Sequence, residues 1–266
     1  MTEKEVCRAL GMDETICDQL PDFTEEEYER FRVLLNESTR AYGKAMWEMP
    51  EPEAHALRFT LRYAGEVRDI YREKGYDDQI WLDTFADIRI WNDHYYGETG
   101  KYGLDEIDWL SNHLALKLFR LGRLQFLPGK LGEDIVTPGR TVPAGTTVLT
   151  VHIAAETPLR HEDCLASYEQ AKAFYNDPHP VFTCSSWLLS PALKELLPEG
   201  SGILAFQSDF TLLSTNPKSR QAEERIYGPI LDDPSGYPED TTLRRNAKAW
   251  LMAGKKIPSG YGVIFG

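Results

Sequence analysis

A chain of 266 residues, 42% hydrophobic and 27% charged, has the length for one or two domains and the composition of a soluble globular protein. A net charge of −13 argues against nucleic acid as a partner, and no apolar run approaches the roughly 18 residues that span a bilayer. The charged opening Met1-Thr-Glu-Lys-Glu5 reads as no secretory signal. Cys7, Cys17, Cys164 and Cys184 lack disulfide or CxxC spacing, so free thiols and a cytoplasmic location are expected.

Residues 1–118 hold 26 acids against 14 bases, and 119–266 hold 16 against 15, so the texture changes near residue 118. The first stretch reads as helices. Thr24-Glu-Glu-Glu27 is a capping box, with a hydroxyl at the cap and a carboxylate three residues on. Tyr28, Phe31, Leu34 and Leu35 then share a face. Leu57, Leu61, Ala64, Val67 and Tyr71 repeat at helical spacing, as do Trp81, Phe85, Ile88 and Trp91, and then Ile107, Leu110, Leu114, Leu118 and Leu121. Beyond this, Gly122–Phe126 and Thr146–Ile153 predict a strand pair, with Pro-Gly turns between them. A helix is expected over Pro158–Tyr175, with Leu165, Tyr168, Ala171 and Phe174 on one face. Val181–Trp187 reads as a strand, and Ser190–Leu197 as a short helix with Pro191 at its first position. Ile203–Leu213 reads as a long strand, Thr241–Ala253 as a helix and Gly262–Phe265 as a final edge strand. The expected class is α/β (α+β), with a helical domain at 1–118 and a mixed sheet flanked by helices at 119–266.

Leu118-Phe-Arg-Leu-Gly-Arg-Leu-Gln-Phe126, Val151-His-Ile153 with Pro158-Leu159, Phe182-Thr-Cys-Ser-Ser-Trp-Leu-Leu189, Ile203-Leu-Ala-Phe-Gln207 and Ser259-Gly-Tyr-Gly262 together resemble the bacterial N-acyltransferase family. That family couples a helical N-terminal domain to a GNAT-like C-terminal domain. The resemblance implies a transferase that moves an acyl group from acyl-CoA, or from an acyl carrier protein, to an amine. The chain departs from the usual GNAT pattern in one place. The pyrophosphate loop, Ala154-Ala-Glu-Thr-Pro-Leu-Arg-His161, has no glycine, Pro158 offers no amide hydrogen, and Glu156 opposes an anion. Backbone amides at Thr157, Leu159 and Arg160 are the expected pyrophosphate holders.

Acyl transfer to an amine needs a base, a polarised carbonyl and a stabilised leaving thiolate. His152, near the end of the strand before that loop, is the candidate base, against the alternative of a buried histidine bonded to backbone. Cys184 is a candidate nucleophile for a ping-pong route, or a small core residue. Ser186, on the same strand face as Cys184, would assist the leaving thiolate. Arg120, Arg123, Gln125, Gln207 and Trp187 are candidate substrate contacts. The arginines suit phosphate or carboxylate, although a solvent-facing set would do nothing. Trp91 and Trp109 are wide enough for an acyl pocket but fit a core equally. Asp87, Asp93, His94 and His113 show no metal-ligand spacing, so no metal is expected. Direct attack in a ternary complex is the expected mechanism. The helical domain is expected on the acceptor side, its acidity favouring a cationic acceptor. A non-catalytic binding or regulatory module that keeps the fold is the alternative, and the sequence leaves the oligomeric state open.

Overall fold

Helix-start signals and apolar spacing account for most of the first half of the computed structural model, which describes residues 1–155 and 158–266. Thr2 and Thr24 each open a helix with a reciprocal box. The hydroxyl accepts from the amide three residues on, and Glu5 or Glu27 reaches back to the cap amide. These boxes start α1 (Glu3–Ala9) and α2 (Glu25–Glu37). After them come α3 (Thr39–Trp47), α4 (Pro52–Glu73), α5 (Asp78–Thr99) and α6 (Ile107–Leu114). All belong to one compact unit, Met1–Leu121. The predicted stripes form its core: Leu57, Leu61, Ala64, Val67 and Tyr71 of α4 and Trp81, Phe85 and Ile88 of α5 are buried. Phe59 sits among Tyr28, Phe31, Tyr42 and Tyr63 with ring centroids 5.2 to 6.1 Å away. The last stripe is not one helix. α6 stops at Leu114, Leu116 takes φ +52°, and Phe119–Leu121 is a strand, β1. Leu118, just before β1, and Leu121, at its end, are buried all the same, as is every residue of β1.

The second unit comprises Gly122–Ile153 and 158–266. Its strands are β2 (Leu124–Lys130), a small hairpin of β3 (Ile135–Thr137) and β4 (Arg140–Val142), β5 (Thr147–Ile153), β6 (Val181–Ser186), β7 (Thr211–Asn216) and β8 (Ser259–Phe265). The main sheet runs β2-β5-β6-β8-β7; β5 and β6 are parallel and the other neighbours antiparallel. α7 (His161–Phe174) joins the parallel pair and packs Tyr168 onto Phe182 and Phe126, with centroids 5.1 and 6.5 Å apart. α8 (Leu193–Leu196), α10 (Gln221–Tyr227) and α11 (Thr242–Met252) build a second apolar cluster around Leu193, Leu196, Ile226, Tyr237 and Ala247. Beside it, Arg220 grips Glu223, whose carboxylate also accepts from Tyr237 Oη at 2.9 Å.

Several expectations change here. Ile203–Leu213 is not a strand. Gly202–Ser208 is a helix, α9, and β7 starts only at Thr211. A four-residue apolar run fits either state by periodicity, and close packing decided it: a Cβ on Gly202 would lie 1.8 Å from Leu159 O. β8 is interior, between β6 and β7, rather than at an edge. α7 begins at His161, three residues after Pro158. Leu165 is 48% exposed, while Cys164, Ser167, Tyr168 and Ala171 face inward. The helix expected at Ser190–Leu197 shortens to α8, and Ser190 gives it no side-chain cap. Among the described residues, no helix is long and apolar enough to cross a membrane.

Candidate active site

β5 and β6 are paired only at Leu149–Phe182 and Thr150–Thr183. Both strands continue three residues further, to Ile153 and Ser186, without pairing to each other. The parallel sheet therefore opens at its C-terminal end. β5 keeps its antiparallel bonds to β2 on its other side, through Phe126–Val151, Gln125–His152 and Leu124–Ile153. Parted strand ends of this kind are where main-chain groups can meet an extended ligand.

The two faces of this opening carry different chemistry. The Thr150 and Thr183 hydroxyls meet at 3.4 Å, so these residues share a face. Alternation puts His152, half-buried, and Ser185 on it, and Gln125, opposite His152 in register and 2% exposed, joins them. Phe182 meets Tyr168 on the other face, and Cys184 follows it there. His152 and Cys184 thus lie on opposite faces and do not form a base–nucleophile pair. Cys184 is fully buried, and burial pushes its thiol up to about 12. Such a thiol is a core residue rather than an activated nucleophile. Ser186 ends β6 and caps the next turn, accepting from Leu188 N–H at 3.1 Å.

The remaining candidates divide. Arg120, Arg123 and Gln125 are all buried, which overturns a solvent-facing set. Arg120 belongs to the first unit, where its amide donates to Thr84 Oγ1 at 2.9 Å. Arg123 is an anchor in the second: its amide donates to Ser167 Oγ at 2.8 Å and its Nε to Pro158 O at 3.3 Å. Gly122 just before it has φ +70°, and an added Cβ would sit 2.9 Å from Ser167 Oγ. Gln207 is on α9, not mid-strand. Its amide donates to Leu188 O and Ser190 O at 3.2 and 2.8 Å, which closes the turn after β6. Trp187 packs against the cluster of α8, α10 and α11. Glu156 and Thr157 lie outside the described residues. Leu159 turns its carbonyl toward Gly202, the Arg160 amide is bonded to Pro158 O, and the Arg160 guanidinium pairs with Asp163 at 2.7 Å. The Arg160 amide and guanidinium are therefore engaged in local structure.

Two groupings escaped the sequence. His161 Nε2, in the first turn of α7, donates to Asp209 Oδ1 at 2.8 Å across 48 residues. A carboxylate at the C-cap of an unforeseen helix gave no local signal. In the first unit, His94 is 3.7 Å from Glu98, one turn on in α5, and Asp105 brings a third ligand atom within 4.8 Å. His94 and Glu98 are exposed, and exposed acidic clusters need no ion. Asp87 and His113 pair at 3.0 Å in the core, with Trp109 donating to the same Asp87 oxygen at 3.4 Å. An open cleft of about 830 Å³ in the first unit is lined by Glu3, Asp18, Arg58, Arg62 and Glu66 among others. Its arginines are already paired with Glu3, Asp22 and Glu25.

A helical unit followed by a mixed sheet whose central parallel pair opens at one end defines the class: a GNAT-like transferase with its own N-terminal domain. Residues 118–264 match the GNAT-like C-terminal domain, and residues 1–116 match the N-acyltransferase N-terminal domain. The chain belongs to this N-acyltransferase family. Solved structures share the whole fold. One is an acyltransferase in complex with decanoyl-CoA and teicoplanin, at 21% identity and TM-score 0.67 over 100% of this chain and 99% of that one. Another is an acyltransferase mutant in complex with octanoyl-CoA, at 22% and 0.69 over the same shares. A third is an acyltransferase in complex with CoA and 10C-teicoplanin, at 21% and 0.70, again over the same shares. At these identities the likeness is one of fold. No curated protein matches the chain.

Proposed function

We propose that this protein transfers an acyl group from acyl-CoA to an amine by direct attack in a ternary complex. The observation that carries the reading is the opening between β5 and β6 after two paired positions. An extended pantetheine arm enters between strand ends that have parted in this way. The acyl-CoA and CoA bound by the structural neighbours support the donor class.

In this reading the amine nitrogen attacks the thioester carbon from the His152 face. The C–N bond forms, the amine proton passes to the His152 imidazole, and the C–S bond breaks with its electron pair on sulfur. Ser186 remains the candidate donor to the departing thiolate. Its oxygen accepts from Leu188, which leaves its own hydroxyl hydrogen for donation. Leu159 remains a candidate amide for pyrophosphate, and Arg160 is less suited because its amide bonds to Pro158 O. The test is a melting-temperature series against CoA, acetyl-CoA and long-chain acyl-CoAs. A rise that grows with acyl length is expected, since a ligand of the native state stabilises it by mass action. No rise with any member would overturn the CoA-dependent reading.

A further inference from the structure

The row of side chains that crosses the sheet at the opening is polar on both banks. β5 and β6 are in register at Thr150–Thr183, so two residues on, His152 and Ser185 take equivalent positions on the face those hydroxyls share. Gln125 is the partner of His152 on β2, and Tyr261 is the partner of Ser185 on β8. One row therefore reads Gln125, His152, the opening, Ser185, Tyr261. Ser185 differs from the rest of its strand: among the described residues, β6 buries its other five side chains and exposes this one. Further back along the strands the same face is apolar, and Val148, Val181 and Val263 pack with Ile135 and Val142 of the small hairpin. The hairpin thus covers the paired part of this face, while Ser185 at the parted end stays open to solvent.

Two of the three needs of acyl transfer already have a candidate, His152 for the amine proton and Ser186 for the thiolate. The carbonyl has none. A nucleophile meets a carbonyl carbon on a path tilted away from the oxygen. With the base on the β5 bank, the amine leans toward β5 and the carbonyl oxygen points to the β6 bank. Neighbouring strands lie about 4.8 Å apart, so an extended arm lying between parted ends has a bank at about that distance on either side. A serine side chain on the β6 bank reaches an oxygen in that space. Ser185 is the exposed hydroxyl there, on the face of attack, whereas Ser186 projects with Cys184 from the other face.

We infer that the Ser185 hydroxyl donates a hydrogen bond to the thioester carbonyl oxygen of the acyl donor and is a catalytic residue of the transfer. This rests on the acyl-donor reading above. As the C–N bond forms, the carbonyl π electrons move onto oxygen, and they return as the C–S bond breaks. The Ser185 hydrogen bond is strongest while the oxygen is charged, which is how such a donor lowers a barrier. Ser185 keeps its own proton throughout. The group it recognises is the thioester itself, so the role is the same whichever amine attacks and whichever carrier holds the acyl chain.

Infrared spectroscopy of octanoyl-CoA, isotopically labelled at its thioester carbon and bound to the full chain, tests this without an acceptor. A hydrogen bond to a carbonyl oxygen lowers its stretching frequency. Ser185→Ala should therefore raise the labelled stretch, and Ser185→Thr, which keeps the hydroxyl, should hold it at the wild-type value. His152→Ala should leave it unchanged, since the imidazole acts on the amine. In calorimetric titration Ser185→Ala should bind octanoyl-CoA about five-fold more weakly, the worth of one hydrogen bond, and CoA, which has no thioester, as tightly as the wild type does. A stretch that is the same in the wild type and Ser185→Ala overturns the role and leaves the transferase reading intact. An equal rise in Ser185→Thr or in His152→Ala overturns it too, because the band then reports the general polarity of the opening. Failure of the wild type to bind both octanoyl-CoA and CoA overturns the donor reading itself.

Discussion

His152, the base of the expected direct attack, and Cys184, the nucleophile of the alternative ping-pong route, have very different surroundings as side chains. His152 is half-buried beside Gln125 and Thr150 at the mouth of the opening. Cys184 is sealed on the other face with a thiol near 12. His152→Ala should therefore lower kcat by about 100-fold or more, the usual worth of a general base, with acyl-CoA affinity retained. Cys184→Ala should leave kcat within about two-fold and cost about 1 kcal/mol of stability, from the apolar volume lost. Steady-state kinetics with denaturant melts separate the two. A dead Cys184→Ala protein with native stability would restore the ping-pong route.

Elements are held by contacts that their own sequences do not announce. α9 exists where a strand was expected because Gly202 lets it lie against Leu159, and Gln207 then ties it to the turn after β6. Adding one methyl tests this. In Gly202→Ala the Cβ meets a backbone oxygen that cannot rotate away, so the cost should reach about 2–3 kcal/mol. Urea unfolding measures it, and a shift under about 0.5 kcal/mol would mean that the approach of α9 to Leu159 is soft. The capping boxes of α1 and α2 are the opposite case: both ends of each interaction lie three residues apart and are readable in order.

Taken together, the acidic chain should lose stability in acid. Glu223 is held below its ordinary value of 4.5 by the Arg220 guanidinium, and Asp78 below 3.8 by Arg72 and Arg68. Glu25, Glu239 and Asp240 are lowered by Arg62, Lys248 and Arg244, and Glu5 and Glu27 by their own capping boxes. A lowered carboxyl contributes stability above its unfolded pKa and loses it as pH falls through the folded one. Glu3 has the opposite sign, raised by burial, so its charge costs stability at neutral pH. The lowered groups outnumber it. The melting temperature should hold from pH 7 to about 5 and fall from about pH 4.5 to 3. A flat profile to pH 3 would mean that these pairs, mostly exposed, are screened to nothing.

Chain order alone identified the helical half, the capping box at Thr24, the strand–helix–strand order around His152 and the family, because each rests on local spacing or on a contiguous motif. It also placed His152, since a residue at a strand end is located by the strand. The core face of α7, the interior place of β8, the helix at Gly202 and the meeting of His161 with Asp209 were decided only by tertiary packing. Each depends on partners tens of residues away: a helix shows which residues share a stripe but not which stripe the sheet will cover, and a four-residue apolar run takes whichever conformation its neighbours leave room for.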